Sequence, residues 1–139
     1  MIKIGFTGTQ QGMTPWQKLH VEMILKKAKE DFQEIEFHHG DCVGADSDAH
    51  DEARKVGADI VIHPPENDSK RAFRGSKNIR QPKPYLSRNH DIVDETEFLI
   101  ATPKEKKEVL RSGTWATVRY AKKLDKRGII IYNGGYEMF

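Results

Sequence analysis

Short apolar runs alternate with amphipathic segments along this 139-residue chain. The run "IKIGFTG" reads as a buried first strand ending at glycine. "TPWQ" then opens a helix: Thr14 is a candidate N-cap, Pro15 suits the first helical position, and Gln17 stands where a capping box needs it. Val21, Ile24, Leu25, Ala28 and Phe32 follow at helical spacing. "EIEFHHG" predicts a second strand, "ADIVIHPP" a third stopped by prolines, "EFLIATP" a fourth and "GIIIYNGG" a fifth. After "GDCVGAD", Ala45, Ala49 and Ala53 recur every four residues, a stripe small enough for a helix to lie close to a sheet. "PYLSRNHDIVDET" predicts a helix from Pro84 with Leu86, Ile92 and Val93 facing inward. "SGTWATVRYAKKLD" predicts a last helix with Ala121 and Leu124 on one face. Continuous apolar strands alternating with helices predict an α/β fold: a doubly wound, mainly parallel sheet of about five strands with helices on both faces. The length suits one domain over residues 1–139, with no repeats.

Composition adds bounds. Hydrophobic residues are 37% and charged residues 32%, as in a soluble globular domain. No apolar run approaches a membrane span, and "MIKIGFTG" lacks the regions of a signal peptide. A single cysteine, Cys42, excludes an internal disulfide framework, so a cytoplasmic setting is expected. The formal net charge of +2 does not by itself imply nucleic-acid binding. Between Pro64 and Pro84, however, Lys70, Arg71, Arg74, Lys77, Arg80 and Lys83 outweigh Glu66 and Asp68, and the remainder is slightly acidic. This basic loop, residues 64–83, has no clear periodicity and reads either as a mobile lid or as an unstructured excursion.

In a doubly wound sheet, ligands bind beyond the carboxyl ends of the strands, near the point where strand order reverses. Three glycine-bearing turns fall there: "FTGTQQG", "GDCVGAD" and "RSGTW". Glycine lets backbone approach a ligand, and a helix start offers unpaired N–H groups to an anion. Ser112 and Thr114 add hydroxyls, and Arg111 can grip a phosphate, although Ser and Thr at a helix start most often serve as plain caps. The spacing of Gly5, Gly8 and Gly12 misses the dinucleotide fingerprint, and no phosphate-loop motif of the ATPases is present.

Three segments resemble, in order, the superfamily that joins DNA-processing protein A (Smf) with the "lonely guy" phosphoribohydrolases, the SLOG superfamily. "GDCVGADSDAH" is similar to its glycine-rich turn, "YLSRNHDIV" to the arginine-asparagine helix start of the DNA-processing branch, and "SGTWATVRYA" to that branch's S-G-S/T-x-x-T signature. With "GFTGTQ" the resemblance spans nearly the whole chain, and the short stand-alone group related to YspA and YpsA fits best. It implies a Rossmann-like fold, a homo-oligomer and a nucleotide-derived small-molecule ligand. The site it marks comprises Gly8, Thr9, Gln10, Gly40, Asp41, Gly44, Asp46, Arg88, Asn89, Arg111, Ser112, Gly113, Thr114 and Thr117. Two departures matter. The hydrolases' glutamate is replaced by Thr117, which cannot act as an unassisted general base near neutral pH. Gln10 stands where the DNA-processing branch usually has arginine.

The reading that follows is binding, for sensing or sequestration, of a phosphorylated nucleotide derivative, ADP-ribose-like in class. Gly8-Thr9 and Ser112-Gly113 amides would hold phosphate, Arg88 and Arg111 would neutralise it, and Asp41 or Asp46 would hold a ribose or else cap the next helix. One alternative is a nucleotide N-glycoside hydrolase or transferase using Asp46 or Glu108; another is single-stranded DNA binding, which needs a positive track and stacking aromatics. Trp115 and Arg119 share a helix face and could stack on each other or close over a base, and Tyr85 could also stack. Trp16, Leu19 and Met23 could serve a core or a dimer seam. No cofactor is expected. No metal is expected either: His38 and His39 point to opposite faces of a strand, and His50, His63 and Cys42 complete no recognised ligand spacing.

Overall fold

The computed structural model describes residues 1–139. Its strands are β1 (Ile2–Gly8), β2 (Ile35–His39), β3 (Asp59–Ile62), β4 (Asn78–Ile79), β5 (Phe98–Thr102), β6 (Arg127–Tyr132) and β7 (Gly135–Met138). The helices are α1 (Pro15–Phe32), α2 (Ala45–Lys55), α3 (Tyr85–Asp94) and α4 (Gly113–Lys123), with a 3-10 turn at Asp68–Lys70. All strands join one sheet in the order β4-β3-β2-β1-β5-β6-β7, parallel except for β7 against β6. The chain thus winds outward from β1 to β4, then returns to β1's other side for β5. That reversal is the topological switch.

The doubly wound α/β architecture is as expected, with seven strands rather than five. The added β4 and β7 are short edge strands. β7 folds back through Asn133-Gly134, a strong hairpin signal at the end of the "GIIIYNGG" run.

Alternation along the strands feeds two cores. Ile4, Phe6, Phe37, Ile62, Ile100 and Ile131 pack with Val21 and Leu25 of α1 and the fully buried Ala45, Ala49 and Ala53 of α2. On the other face, Leu99, Ala101 and Ile130 pack with Val93 of α3 and with Trp115, Val118 and Ala121 of α4. The small-residue stripe of α2 is therefore a packing face. Phe32, Leu86 and Leu124 point outward instead of inward; each sits in the first or last turn of a helix or at its cap, where the helix runs past the sheet. Leu19 and Met23 are also exposed, while Trp16 packs partly against the core and stacks on His20.

The start of α1 carries the capping box. The Gln17 N–H donates to Thr14 Oγ1 at 3.1 Å, and the Thr14 N–H donates to Gln17 Oε1 at 2.9 Å. Gln17 Nε2 also donates to the carbonyls of Pro103 (3.0 Å) and Ile131 (2.8 Å), which ties the helix start to the ends of β5 and β6. A buried glutamine is tolerated here because its amide finds partners.

The basic loop is docked. Arg71 pairs with Asp41 at 2.9 Å, Arg74 with Asp51 at 2.5 Å, Arg80 with Glu95 at 2.5 Å and Lys83 with Asp91 at 2.6 Å. Its backbone bridges to Cys42, and within the loop Pro65 bridges to Lys83. Four of its six cations are thus paired with acids of the α2 and α3 neighbourhoods, and backbone hydrogen bonds such as Val43 N–H to Lys70 O and Arg80 N–H to Ile62 O also fasten the stretch.

Candidate functional site

The carboxyl ends of β1, β2 and β5 open into a cleft of about 850 Å³. Gly8, Thr9 and Gln10 form part of its wall, Gly40, Cys42 and Asp46 another part, and Ser112, Gly113 and Thr114 a third, with Arg88 and Asn89 between them. Ten of the residues singled out in the sequence therefore meet around one hollow. Asp41, Gly44, Arg111 and Thr117 lie outside its lining.

The turns are held by contacts with one another. Gly44 has φ +88°, and a side chain there would overlap the Gln10 backbone, so only glycine fits. The Ala45 N–H donates to Thr9 O at 2.9 Å, and the Thr9 N–H donates to Thr102 O at 3.1 Å. Thr9's amide is therefore committed to the fold rather than open to an anion. The α4 start differs. Ser112 caps it by accepting from the Trp115 N–H at 3.3 Å, while the amides of Gly113 and Thr114 have no intrahelical acceptor.

Arg88 is 4% exposed and largely engaged by protein. Its Nη1 donates to the carbonyls of Gly40 and, at 3.1 Å, His63; Nη2 donates to Cys42 Sγ at 3.6 Å and Nε to Asn89 Oδ1 at 2.8 Å. Gly40 must lack a side chain because a Cβ would enter the guanidinium. Arg88 is thus a strut of the cleft wall first.

Asp46, in the first turn of α2, accepts from the Cys42 N–H at 3.1 Å. Burial pushes its carboxyl up to about 6, against the pull of the Arg88 charge. Burial likewise raises the Cys42 thiol, which disfavours its thiolate form. Asp41 is fully buried: Oδ2 accepts from Arg71 Nε at 2.9 Å and Oδ1 from the Arg74 N–H at 2.9 Å. Its charge anchors the basic loop. The Thr117 hydroxyl donates to Gly113 O at 2.8 Å within α4. Arg111 is exposed on the loop before α4.

Anchoring of the loop brings Asn67, Ser69 and Lys70 to the cleft rim, and the β5–α4 connection adds Lys104 and Glu105. These were missed, although "PKEKK" directly follows a strand and lies where strand-end ligands are met. Tyr85 lines the cleft, with Arg88 Cζ 5.4 Å from its ring centroid. Trp115 is buried in the core and donates Nε1–H to Glu105 at 3.1 Å, while Arg119 pairs with Glu108 at 2.7 Å. They neither stack on each other nor line the cleft, and Glu108 stands outside it as well.

Residues of metal-ligating type converge outside the lining, at His38, His63 and Glu95. No helix is long and apolar enough to cross a membrane.

This arrangement defines an α/β protein with a Rossmann-like, strand-end cleft. No protein-family model matches the sequence, and no curated protein matches it. Solved structures do match. The molybdenum cofactor binding protein from the phototrophic bacterium Rippkaea orientalis aligns with TM-score 0.72 and 18% identity over 95% of this chain and 77% of that one. The molybdenum cofactor carrier protein of Chlamydomonas reinhardtii aligns with TM-score 0.68 and 16% identity over 96% and 79%. DNA processing protein A from Helicobacter pylori, described by its single-stranded DNA binding mode, gives TM-score 0.63 and 18% identity over 93% and 64%. At these identities the likeness is one of fold, and it is the fold that the superfamily resemblance implies.

Proposed function

We propose that the cleft binds a phosphorylated, nucleotide-derived small molecule, ADP-ribose-like in class, for sensing or sequestration. One observation carries this: the start of α4, where the Gly113 and Thr114 amides have no intrahelical acceptor, lines the same hollow as Lys70, Lys104 and Asp46. The amides and lysines suit phosphate, Asp46 and Asn89 suit ribose hydroxyls, and Tyr85 suits a base. About 850 Å³ is within the range of small-molecule sites. Structural neighbours that bind a molybdenum cofactor support a small-molecule role for this fold. The test is native mass spectrometry of protein from cells, with identification of any molecule released on unfolding, followed by calorimetry with ADP-ribose. Gly113→Pro removes one anion-facing amide at a helix position that accepts proline, and should weaken binding at least about tenfold without melting α4. Unchanged affinity in that variant would defeat the reading.

A hydrolase or transferase is the second reading, favoured by the Asp46 carboxyl held near 6 at the cleft wall. It requires turnover of nucleoside monophosphates that Asp46→Asn abolishes. Single-stranded DNA binding is disfavoured, because the loop's cations are paired except for Lys70 and Lys77.

A further inference from the structure

On the α3 side of the sheet, behind Arg88, three residues distant in sequence converge. His38 lies on β2, His63 directly follows β3, and Glu95 caps the end of α3. Each presents a donor atom, and the three atoms lie within 4.8 Å of one another. His38 and His63 are 0% and 2% exposed, whereas the Glu95 side chain is 34% exposed and leaves the group an open flank.

Counting protons shows why the group is unusual. An ionised carboxylate only accepts, so His38 donates its Nε2–H to Glu36 Oε1 at 2.7 Å. Neutral His38 then has a lone pair on Nδ1, which accepts from His63 Nε2–H at 2.8 Å. That leaves a bare lone pair on His63 Nδ1, facing Glu95 Oε2 at 3.8 Å. Arg80 compensates only the other oxygen of Glu95.

We propose that His38 Nδ1, His63 Nε2 and the Glu95 carboxylate form a binding site for a divalent transition-metal ion of the Zn²⁺ class. The ion takes the place of the proton shared by the two imidazoles. The proton leaving His63 Nε2 is matched by one taken up at His63 Nδ1, so none is lost overall. Zinc–nitrogen bonds of about 2.0–2.1 Å in a tetrahedral site put ligand atoms about 3.3 Å apart. The imidazole pair need only open by about half an ångström. Glu36 stays on the far nitrogen of His38, the carboxylate–histidine–metal arrangement that orients a ligand. Water fills the fourth position from the Glu95 flank. The residues lie outside the cleft, yet the His63 carbonyl holds Arg88, so a bound ion would also brace the cleft wall.

Protein freed of metal with a chelator is titrated with Co²⁺, following its visible ligand-field bands, and with Zn²⁺ by competition. The expected result is one ion per chain with the intense bands of a four-coordinate site. Glu95→Gln, at a partly exposed position that should leave the fold intact by circular dichroism, weakens binding at least about tenfold. Glu36→Gln weakens it about 10- to 100-fold with stoichiometry unchanged. His20→Gln and His90→Gln leave it alone. Absence of binding at micromolar metal, or wild-type affinity in both glutamate variants, overturns the site.

Discussion

The central strand β1 has two unlike flanks. Toward β5 and β6 the buried residues include Leu99, Ile100, Ala101, Thr102, Ile129, Ile130 and Ile131, with no titratable group among them. Toward β2 and β3, and the turns that follow them, the interior holds His38, His39, His50, His63, Asp41 and Asp46, with Arg88 reaching in from α3. The first flank is held by apolar burial, at about 1.5–3 kcal/mol per large side chain and insensitive to pH. The second is a hydrogen-bonded network. His39 accepts from the Asp41 N–H at 2.9 Å and donates to His50 at 2.9 Å, while His38, His63 and Arg88 continue the polar side of the strand ends. Such a network adds little net stability when complete and costs heavily when one member is lost. It is also the flank that supplies Gly40, Asp46 and Arg88 to the cleft.

The comparison breaks most sharply at Arg88. Arg88→Leu strands the Gly40 and His63 carbonyls and leaves Asp46 without its nearby charge, so urea unfolding should show a loss of about 3–5 kcal/mol. Acid comes next. Burial lowers all four histidines, His63 to about 3, while the unfolded chain protonates them near pH 6.5. Between those values the unfolded state holds more protons, so stability falls as pH falls. Asp46 acts in reverse: its folded carboxyl, near 6, keeps a proton that the unfolded one releases near pH 4. Four histidines against one aspartate give a net loss of stability as pH falls from about 7 toward about 4.5, and Asp46→Asn should steepen it. Denaturant midpoints across that range test both statements.

The apolar flank yields smaller, pH-independent effects. Ile130→Val should cost about 0.5–1.5 kcal/mol, with the same change in denaturation midpoint at about pH 7 as at pH 5. Smallest is Thr102→Val. The Thr102 hydroxyl is buried without a hydrogen-bond partner, so replacing it by a methyl group should stabilise the protein by about 0.5–1 kcal/mol in thermal unfolding.

The apolar flank was also the legible one. Runs such as "EFLIA" and "GIII" mark buried strands by hydrophobicity alone, and Thr14, Pro15 and Gln17 announce α1 through cap chemistry that is local in sequence. Burial patterning does not mark the edge strands: Asn78 and Ile79 are both exposed and "GYEM" is largely exposed, so only the Asn133-Gly134 turn announces β7. On the polar flank, residue types were visible but partners were not. Asp41 reads as a ribose ligand or a cap until Arg71, thirty residues on, is seen to occupy it. The His38, His63 and Glu95 cluster has no sequence spacing, because adjacent parallel strands and a helix end bring it together. The three glycine turns were placed correctly at the strand ends, but Gly40 and Gly44 answer to packing against Arg88 and the Gln10 backbone.

Asp41 also fastens the rim of the hollow. One carboxylate receives both the Arg71 side chain and the Arg74 amide, and the stretch that it fixes presents Lys70 to the hollow. The place of that lysine at the hollow therefore depends on one buried carboxylate of a different turn.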